Sequence, residues 1–263
     1  MNINRFKLHL QGFLKYRSLL YNLVSRDIKI RYRRSFLGLL WTILNPLLMM
    51  IIITVIFSTL FKQTIPNYPI YYLSGYLMFQ FNSETTTSAL YSITSNAALM
   101  KKIYIPKYLF PLSKVLSGLV NLFFSLIAMF IVMLILQVKF RLTLLLILLP
   151  IFYVLLFSIG LGLILSTYTV FFRDLAHFYT VFVMAWLYFT PVFYPITILP
   201  KNIMKLMQLN PIYHYVSYMR ELVLYGTFPG LKENMICFAM GIIFLLFGLH
   251  TFYKNQDKFI LYI

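Results

Sequence analysis

The chain has 263 residues, of which 61% are hydrophobic and 11% are charged, and its mean hydropathy is +0.81. Soluble domains are close to half apolar and about a quarter charged, so this composition excludes an ordinary soluble domain. The net charge of +17 is spread over short segments between apolar runs, which indicates loops at an anionic membrane surface and argues against a nucleic-acid partner. The single cysteine, Cys237, excludes an intrachain disulfide and a cysteine-based metal site.

Residues 16–33 have the pattern of an amphipathic helix that lies on the membrane surface. One polar stripe recurs at spacings of three and four, and leucines line much of the opposite side. The stripe consists of Ser18, Asn22, Ser25, Lys29 and Arg33. The amphipathicity is imperfect, because Arg17, Asp27 and Arg31 fall in the apolar arc. An ordinary soluble helix packed on another domain is the alternative.

Six apolar segments follow, and a helix of about 20 apolar residues is enough to cross a bilayer core of roughly 30 Å. The predicted spans are 36–60, 70–91, 111–136, 142–170, 175–195 and 234–252. Pro46 interrupts the first span and predicts a bend. The fourth contains Gly160 and Gly162, which would permit close helix packing.

The second span is unusual because its first half is aromatic and its second half is polar. The polar half runs from Gln80 to Ser88 and includes Glu84, the one acidic residue inside a span. Such a segment is a poor lipid-facing helix, so we expect it to face other helices or water.

Two short amphipathic pieces, 202–209 and 213–225, lie between the fifth and sixth spans on either side of Asn210-Pro211. Each is too short to cross a membrane, which predicts re-entrant or interfacial helices. The distribution of Lys and Arg places both termini in the cytoplasm and leaves fewer basic residues, including Arg220, in the outer loops. The predicted fold is therefore an all-α integral membrane protein with six spans in a single domain, located in the inner or plasma membrane.

The chain lacks the motifs that would energise transport or catalysis. It has no G-x-x-x-x-G-K-[ST] loop for ATP phosphates and no G-x-S-x-G nucleophile, and its four histidines are scattered. We therefore expect a transport permease that binds no cofactor, with ATP and Mg²⁺ on a separate ATPase subunit. A membrane glycosyltransferase or acyltransferase is one alternative, and a carboxylate-coupled carrier that depends on Glu84 is another.

Residues 31–46, with a basic run, a Ser-x-Leu-Gly-x-Leu-Trp motif and a proline inside the first span, resemble a known family. They are similar to the permease subunits of type-2 ABC exporters for O-antigen, capsular polysaccharide and teichoic acid. Further matching segments are distributed along most of the chain: 101–107 (KKIYIPK), 171–174 (FFRD), 190–195 (TPVFYP) and 209–213 (LNPIY).

The resemblance implies a homodimer of the permease with two ATPase subunits and a lipid-linked glycan as substrate. A gate loop at Arg31, Arg33, Arg34 and Ser35 would meet the lipid-pyrophosphate headgroup. The connector after the second span would be the coupling helix that docks on the ATPase, and its residues are Asn96, Lys101, Lys102, Tyr104 and Pro106. Surface anchoring by the same basic residues is the alternative for both segments.

A channel at the dimer interface would need flat apolar faces for sugar C–H groups and hydroxyls for sugar OH groups. The candidates are Tyr71, Tyr72, Tyr76, Phe79, Thr85, Thr86, Ser88, Phe193 and Tyr194. An aromatic belt at the membrane interface, or core packing, is the alternative for the aromatic members. An exporter of the same fold for a drug or a small lipid is the alternative for the cargo.

Overall fold

The computed structural model describes residues 16–33, 35–61, 65, 67–102 and 105–262, and over these ranges the chain is a bundle of helices without a β-strand. Two of the predicted site residues, Arg34 and Tyr104, lie outside the described residues. The longer helices are α1 (Arg17–Tyr32), α2 (Trp41–Phe61), α3 (Tyr68–Leu90), α5 (Leu109–Ile135), α6 (Leu148–Phe171), α7 (Leu175–Phe189) and α10 (Leu231–Asn255). The shorter ones are α4 (Ala97–Lys102), α8 (Lys201–Met207), α9 (Pro211–Arg220) and α11 (Phe259–Tyr262).

Four helical segments among the described residues are long and apolar enough to cross a membrane: Gly38–Phe57, Leu109–Ile135, Leu142–Phe171 and Leu231–Tyr262. The remaining two predicted spans fall short for different reasons. Helix α3 has 23 residues but carries a polar second half, and α7 has only 15 residues. Length and composition therefore establish a polytopic membrane protein.

Helix α3 is the centre of the bundle, which explains how a polar segment is accommodated. It packs against α2, α5, α6 and α9. Tyr72, Leu73 and Met78 are fully buried, and so are the polar Asn82 and Thr86. The Ser158 hydroxyl of α6 donates a hydrogen bond to the Asn82 Oδ1 at 3.0 Å. The expectation that this helix faces other helices is thus met along most of its length.

The tightest helix pair is α6 with α10, and glycine makes it possible. A Cβ atom on Gly160 would lie 2.3 Å from the backbone of Phe244, and one on Gly248 would lie 2.3 Å from the Gly160 carbonyl oxygen. Small residues that let two backbones approach are typical of helix contacts in membranes. The close packing predicted for Gly160 is therefore present.

Within the segment between α7 and α10, helix α9 packs against α3, α6 and α10. The Asn210 side chain caps α9 by accepting from the Ile212 N–H at 3.1 Å, and Pro211 occupies the first helical position, where a missing N–H costs little. Tyr215, Val216 and Met219 are fully buried. Most of α8, in contrast, is exposed on the surface of the bundle.

A second apolar cluster joins α1, the α4 connector and the C-terminal segment. It includes Leu20 and Leu23 of α1, Met100 of α4, Ile105 of the connector and Phe259 of α11. The Lys107 ammonium also donates to the Gln256 carbonyl oxygen at 2.6 Å. The connector is therefore packed onto both chain ends of the described structure.

Candidate functional site

Two polar cavities lie between α1 and the bundle. The first, of about 510 Å³, is lined by α1, the segment from the end of α3 to Asn96, and α5. The second, of about 480 Å³, is lined by α2, α3 and α5. Arg31 and Asn121 line both, so the cavities adjoin each other.

Two ion pairs fasten α1 across these cavities. The Arg31 guanidinium pairs with the Glu84 carboxylate of α3. The Asp27 carboxylate lies 2.8 Å from the Lys114 ammonium of α5 and 3.2 Å from the neighbouring Arg26. Asp27 and Arg31 are two of the three charged residues that interrupt the apolar face of α1. They lie on that face because their ion-pair partners, Lys114 and Glu84, are on α5 and α3 of the bundle.

Pro46 of α2 lines the second cavity, close to α5. A proline has no N–H, so the carbonyl four residues earlier, that of Thr42, loses its helical donor. The Ser125 hydroxyl of α5 donates to that Thr42 carbonyl oxygen at 3.0 Å. Backbone groups freed by proline in membrane helices are satisfied in this way by neighbouring helices. Helix α2 therefore continues through Pro46, beside the second cavity, without leaving the Thr42 carbonyl oxygen unpaired.

The residues of the predicted gate do not form one cluster over the described part of the loop. Arg31 faces the two cavities, whereas Arg33 is exposed and lines a separate surface hollow of about 410 Å³. The Ser35 hydroxyl accepts a hydrogen bond from the Gly38 N–H at 3.2 Å. Gly38 has a φ of +50°, a conformation that favours glycine, and this turn sets the path into α2.

The predicted coupling residues have two different environments. Lys101 and Lys102 are exposed at the end of α4, and Pro106 is half-buried. Asn96 instead lines the first cavity, where its amide donates to the Ser92 carbonyl oxygen at 2.8 Å. The connector thus joins an exposed basic end to the wall of a cavity.

The nine candidate channel residues divide by burial. Five are buried inside the single chain because the neighbouring helices surround α3, and they have almost no surface to offer a channel between two chains: Tyr71, Tyr72, Phe79, Thr85 and Thr86. The other four are only partly buried: Tyr76, Ser88, Phe193 and Tyr194. Tyr76 lines the second cavity and Ser88 the first. Phe193 stacks on Tyr72 with ring centres 5.8 Å apart.

Sequence reasoning placed Arg220 in an outer loop, but the structure buries it, leaving 6% exposed. Its guanidinium donates to the carbonyl oxygens of Pro191 at 2.8 Å and Val192 at 3.1 Å, and reaches that of Tyr71 at 3.4 Å. A buried arginine is expensive unless its donors are satisfied. Arg220 therefore ties α9 to α3 and to the turn after α7. No periodicity in the sequence predicts that Arg220 is buried. The only available signal was its position in a short helix between prolines.

The described residues contain no group of three or more His, Cys, Asp or Glu side chains placed to hold a metal ion. The arrangement of apolar helices around adjoining polar cavities defines a polytopic helical membrane protein.

Comparison with known proteins identifies the family. Residues 18–224 match the model of the ABC-2 type transporter membrane family, and the chain belongs to that family. It is 30% identical over 243 residues to an O-antigen export system permease protein, RfbA, of Klebsiella pneumoniae, covering 92% of this chain and 93% of the relative. RfbA of Myxococcus xanthus is 32% identical over 251 residues, which is 93% of this chain and 95% of the relative. The polysialic acid transport protein KpsM of Escherichia coli is 24% identical over 253 residues, with 90% and 92% covered. The resemblance inferred from the sequence motifs is confirmed.

Proposed function

We propose that the chain is the transmembrane subunit of an ABC transporter that exports a lipid-linked polysaccharide across the cytoplasmic membrane. The cargo class is O-antigen, capsular polysaccharide or teichoic acid, and ATP hydrolysis on a separate subunit drives export. The observation that carries this proposal is similarity over nine-tenths of the chain to permeases named for O-antigen and polysialic acid. The chain itself binds no cofactor.

The proposed topology has six crossings, with both termini in the cytoplasm. Helix α3 crosses despite its polar half because other helices surround it. Helix α7, at 1.5 Å per residue, spans only about 22 Å. Its crossing is completed by the turn at 190–195, whose backbone is held inside the protein by Arg220. Irregular backbone at membrane depth is tolerated where protein buries it.

The connector is the proposed contact with the ATPase. Lys101 and Lys102 present an exposed basic end to the partner. Met100, one residue earlier, belongs to the same apolar cluster as Leu20 and Leu23 of α1. A displacement of α4 by the ATPase would therefore reach α1, and through its ion pairs the two cavities.

The proposed homodimer interface uses α2 and α7, the least surrounded of the long helices. Helix α7 exposes Phe178, Val181 and Met184, and α2 exposes Ile52 and Val55. A channel between the two α2–α7 faces would have Phe193 and Tyr194 close to one end of α7. Arg31, Arg33, Arg34 and Ser35 would meet the lipid pyrophosphate, since guanidinium groups pair with phosphate oxygens in a bidentate fashion.

The test is reconstitution with the ATPase encoded in the same genome. A P-loop ATPase should co-purify with the chain, and the chain alone should hydrolyse no ATP. Sealed inverted vesicles should move a polyprenyl-pyrophosphate-linked glycan only when ATP is supplied. Transport without nucleotide, or ATP-driven transport of small amphiphiles but not of the glycan, would contradict the proposal.

A further inference from the structure

We propose that residues 256–262, the C-terminal clip, hold together the two turns that the proposed topology places in the cytoplasm. These turns are the connector before α5 and the α6–α7 turn at 171–174. Lys107 and Phe259 are the positioning residues, and they act on transport through the turns that they hold. The inference rests on the proposed function and deepens it, because it concerns how movement of the ATPase reaches the helices of the proposed dimer interface.

The clip consists of a 3-10 turn, Gln256–Lys258, and the short helix α11. A helix of four residues has no stability of its own in water, because nucleation costs more than one turn of hydrogen bonds returns. Phe259 is fully buried, whereas Ile260 and Leu261 are exposed. The segment is therefore held in place by Phe259 and by contacts at its two ends.

The first end of the clip contacts the connector through one carbonyl oxygen. The Gln256 oxygen accepts from the Phe259 N–H, which closes the 3-10 turn, and from the Lys107 ammonium at 2.6 Å. The same ammonium lies 5.8 Å from the centre of the Phe259 ring, within the range of a cation–π contact. Gln256 directly follows the last residue of α10, and the helix dipole favours a cation there. Lys107 thus contacts both the backbone and the ring of the clip.

The second end of the clip contacts the last residue of α6, Phe171. The Phe171 ring centre lies 6.0 Å from that of Phe259 and 4.9 Å from that of Tyr262, the latter edge-to-face. Phe252 of α10 meets Phe259 edge-to-face at 5.3 Å. These are the arrangements that aromatic rings prefer. Phe259 is therefore the centre of an aromatic group drawn from α6, α10 and the clip.

The clip gives the connector a path to α7. Phe171 is followed by the exposed residues 172–174 and then directly by α7. Coupling between separate parts of a protein is carried by contiguous packed side chains. A displacement of the connector would pass from Lys107 through Phe259 to Phe171, and so to the start of α7. Met100 links the same connector to α1, so with the clip in place α1 and α7 move together.

A membrane anchor at the chain end is the competing role, and it would depend on different residues. An anchor would use the exposed Ile260 and Leu261, whereas the clip uses the buried Phe259. Phe259→Ala and Leu261→Ala each remove an apolar side chain from the same short helix. The two variants are therefore matched, and the two roles predict opposite results for them.

The connection between the turns is tested on the full chain in nanodiscs, without the ATPase, by the distance between two spin labels. In a Cys237→Ala background the labels are attached at Ala98→Cys on α4 and Arg173→Cys, both at exposed positions. Phe259→Ala should broaden the distance distribution and add a second, longer distance, and Leu261→Ala should leave it unchanged. Lys107→Met should broaden it in the same way without removing a fully buried side chain. An unchanged distribution in Phe259→Ala and Lys107→Met, or broadening by Leu261→Ala alone, would overturn the proposal.

The effect on transport is measured as glycan exported per ATP hydrolysed by the reconstituted complex. A smaller folded fraction lowers export and hydrolysis together, so a merely structural role leaves this ratio unchanged. Lys107→Met should keep hydrolysis within about twofold and lower the ratio at least about fivefold, as expected for a coupling energy between separate sites. Lys107→Arg should restore the ratio, because a guanidinium still donates to the carbonyl oxygen and stacks on the ring. Lys258→Met, at an exposed position of the clip, is the control.

Parallel loss of export and hydrolysis in Lys107→Met, or an equal fall of the ratio in Lys258→Met, would refute the positioning role. The spin-label distances require neither ATP nor cargo. Broadened distances in a complex that exports no glycan would therefore refute the proposed function and leave the clip standing, whereas normal export with unchanged distances would refute the clip alone.

Discussion

The Arg220 guanidinium carbon lies 3.5 Å from the centre of the Tyr71 ring, and the same guanidinium bonds to the backbone of the turn that follows α7. One buried cation thus connects α9, the first turn of α3 and the turn that follows α7. A cation over an aromatic face is attracted by the ring, and more strongly when both are shielded from water.

Substitution of Arg220 by Met should lower the thermal stability of the purified protein strongly. The variant removes the cation and leaves the Pro191 and Val192 carbonyl oxygens without this donor, at a cost of about 2–4 kcal/mol. Arg220→Lys should be intermediate, because an ammonium cannot reproduce the planar fork. The measurement is the unfolding midpoint in detergent. Lys201→Met, at an exposed position of α8, is the control, and an equal shift in that variant would refute the role of Arg220.

Gly160→Ala should also destabilise the protein, because the added methyl group meets the backbone of Phe244 and not a movable side chain. Overpacking of this kind costs about 1–3 kcal/mol. Gly230→Ala is the matched control, since the new methyl group there meets only the Glu233 carboxylate, the end of a flexible side chain. Thermal unfolding of the two variants is the comparison, and equal midpoints would show that α6 and α10 can separate at little cost.

The helices themselves could be predicted from the sequence because each depends on local hydropathy. The predicted spans 111–136 and 234–252 end within three residues of the boundaries of α5 and α10. The burial of individual side chains could not be predicted from the sequence, since it depends on which helices surround α3. Tyr72 and Tyr76 lie one helical turn apart, yet one is fully buried and the other lines a cavity.

Two irregularities in the sequence indicate where charged residues of different helices meet at the cavities. Asp27 and Arg31 interrupt the apolar arc of α1, and Glu84 is an isolated acid in a span. Each irregularity is explained by a partner on another helix, and pairing between helices leaves no periodic signal. The buried roles of Lys114 and Arg220 could not be predicted in this way, because lysine and arginine near predicted span ends are ordinarily attributed to the membrane surface.

Ser125→Ala should lower stability in the native chain and have no effect in a Pro46→Ala background. In the native chain the Ser125 hydroxyl is the donor to the Thr42 carbonyl oxygen. Alanine at position 46 restores a backbone N–H that bonds to the same oxygen. The expected coupling is about 0.6–1.5 kcal/mol, typical of hydrogen bonds between membrane helices. A double-mutant cycle in thermal unfolding measures it, and additive effects would contradict the compensation.

Reversal of charge at Lys101 and Lys102, to Glu at both, should reduce co-purification of the ATPase and leave thermal stability unchanged. Both side chains are exposed, so the substitutions disturb no internal packing. Charge reversal at a rim of this kind mainly slows association and makes it less sensitive to salt. Lys201→Glu with Lys205→Glu on α8 is the control, because the proposed topology places α8 on the opposite side of the membrane. Equal loss of the ATPase in the control would contradict docking at α4.

Cysteines on the exposed face of α7 should cross-link two copies of the chain. Cys237 is the single native cysteine and is buried, so a Cys237→Ala background carries only the introduced thiol. We expect covalent dimers in native membranes when Phe178, Val181 or Met184 is replaced by Cys, because a two-fold interface brings the same surface of each copy together. Ile243→Cys and Leu246→Cys, on the exposed apolar face of α10, are the controls and should stay monomeric. Cross-linking that is strong from α10 and absent from α7 would place the interface, and with it the proposed channel, on the opposite side of the bundle.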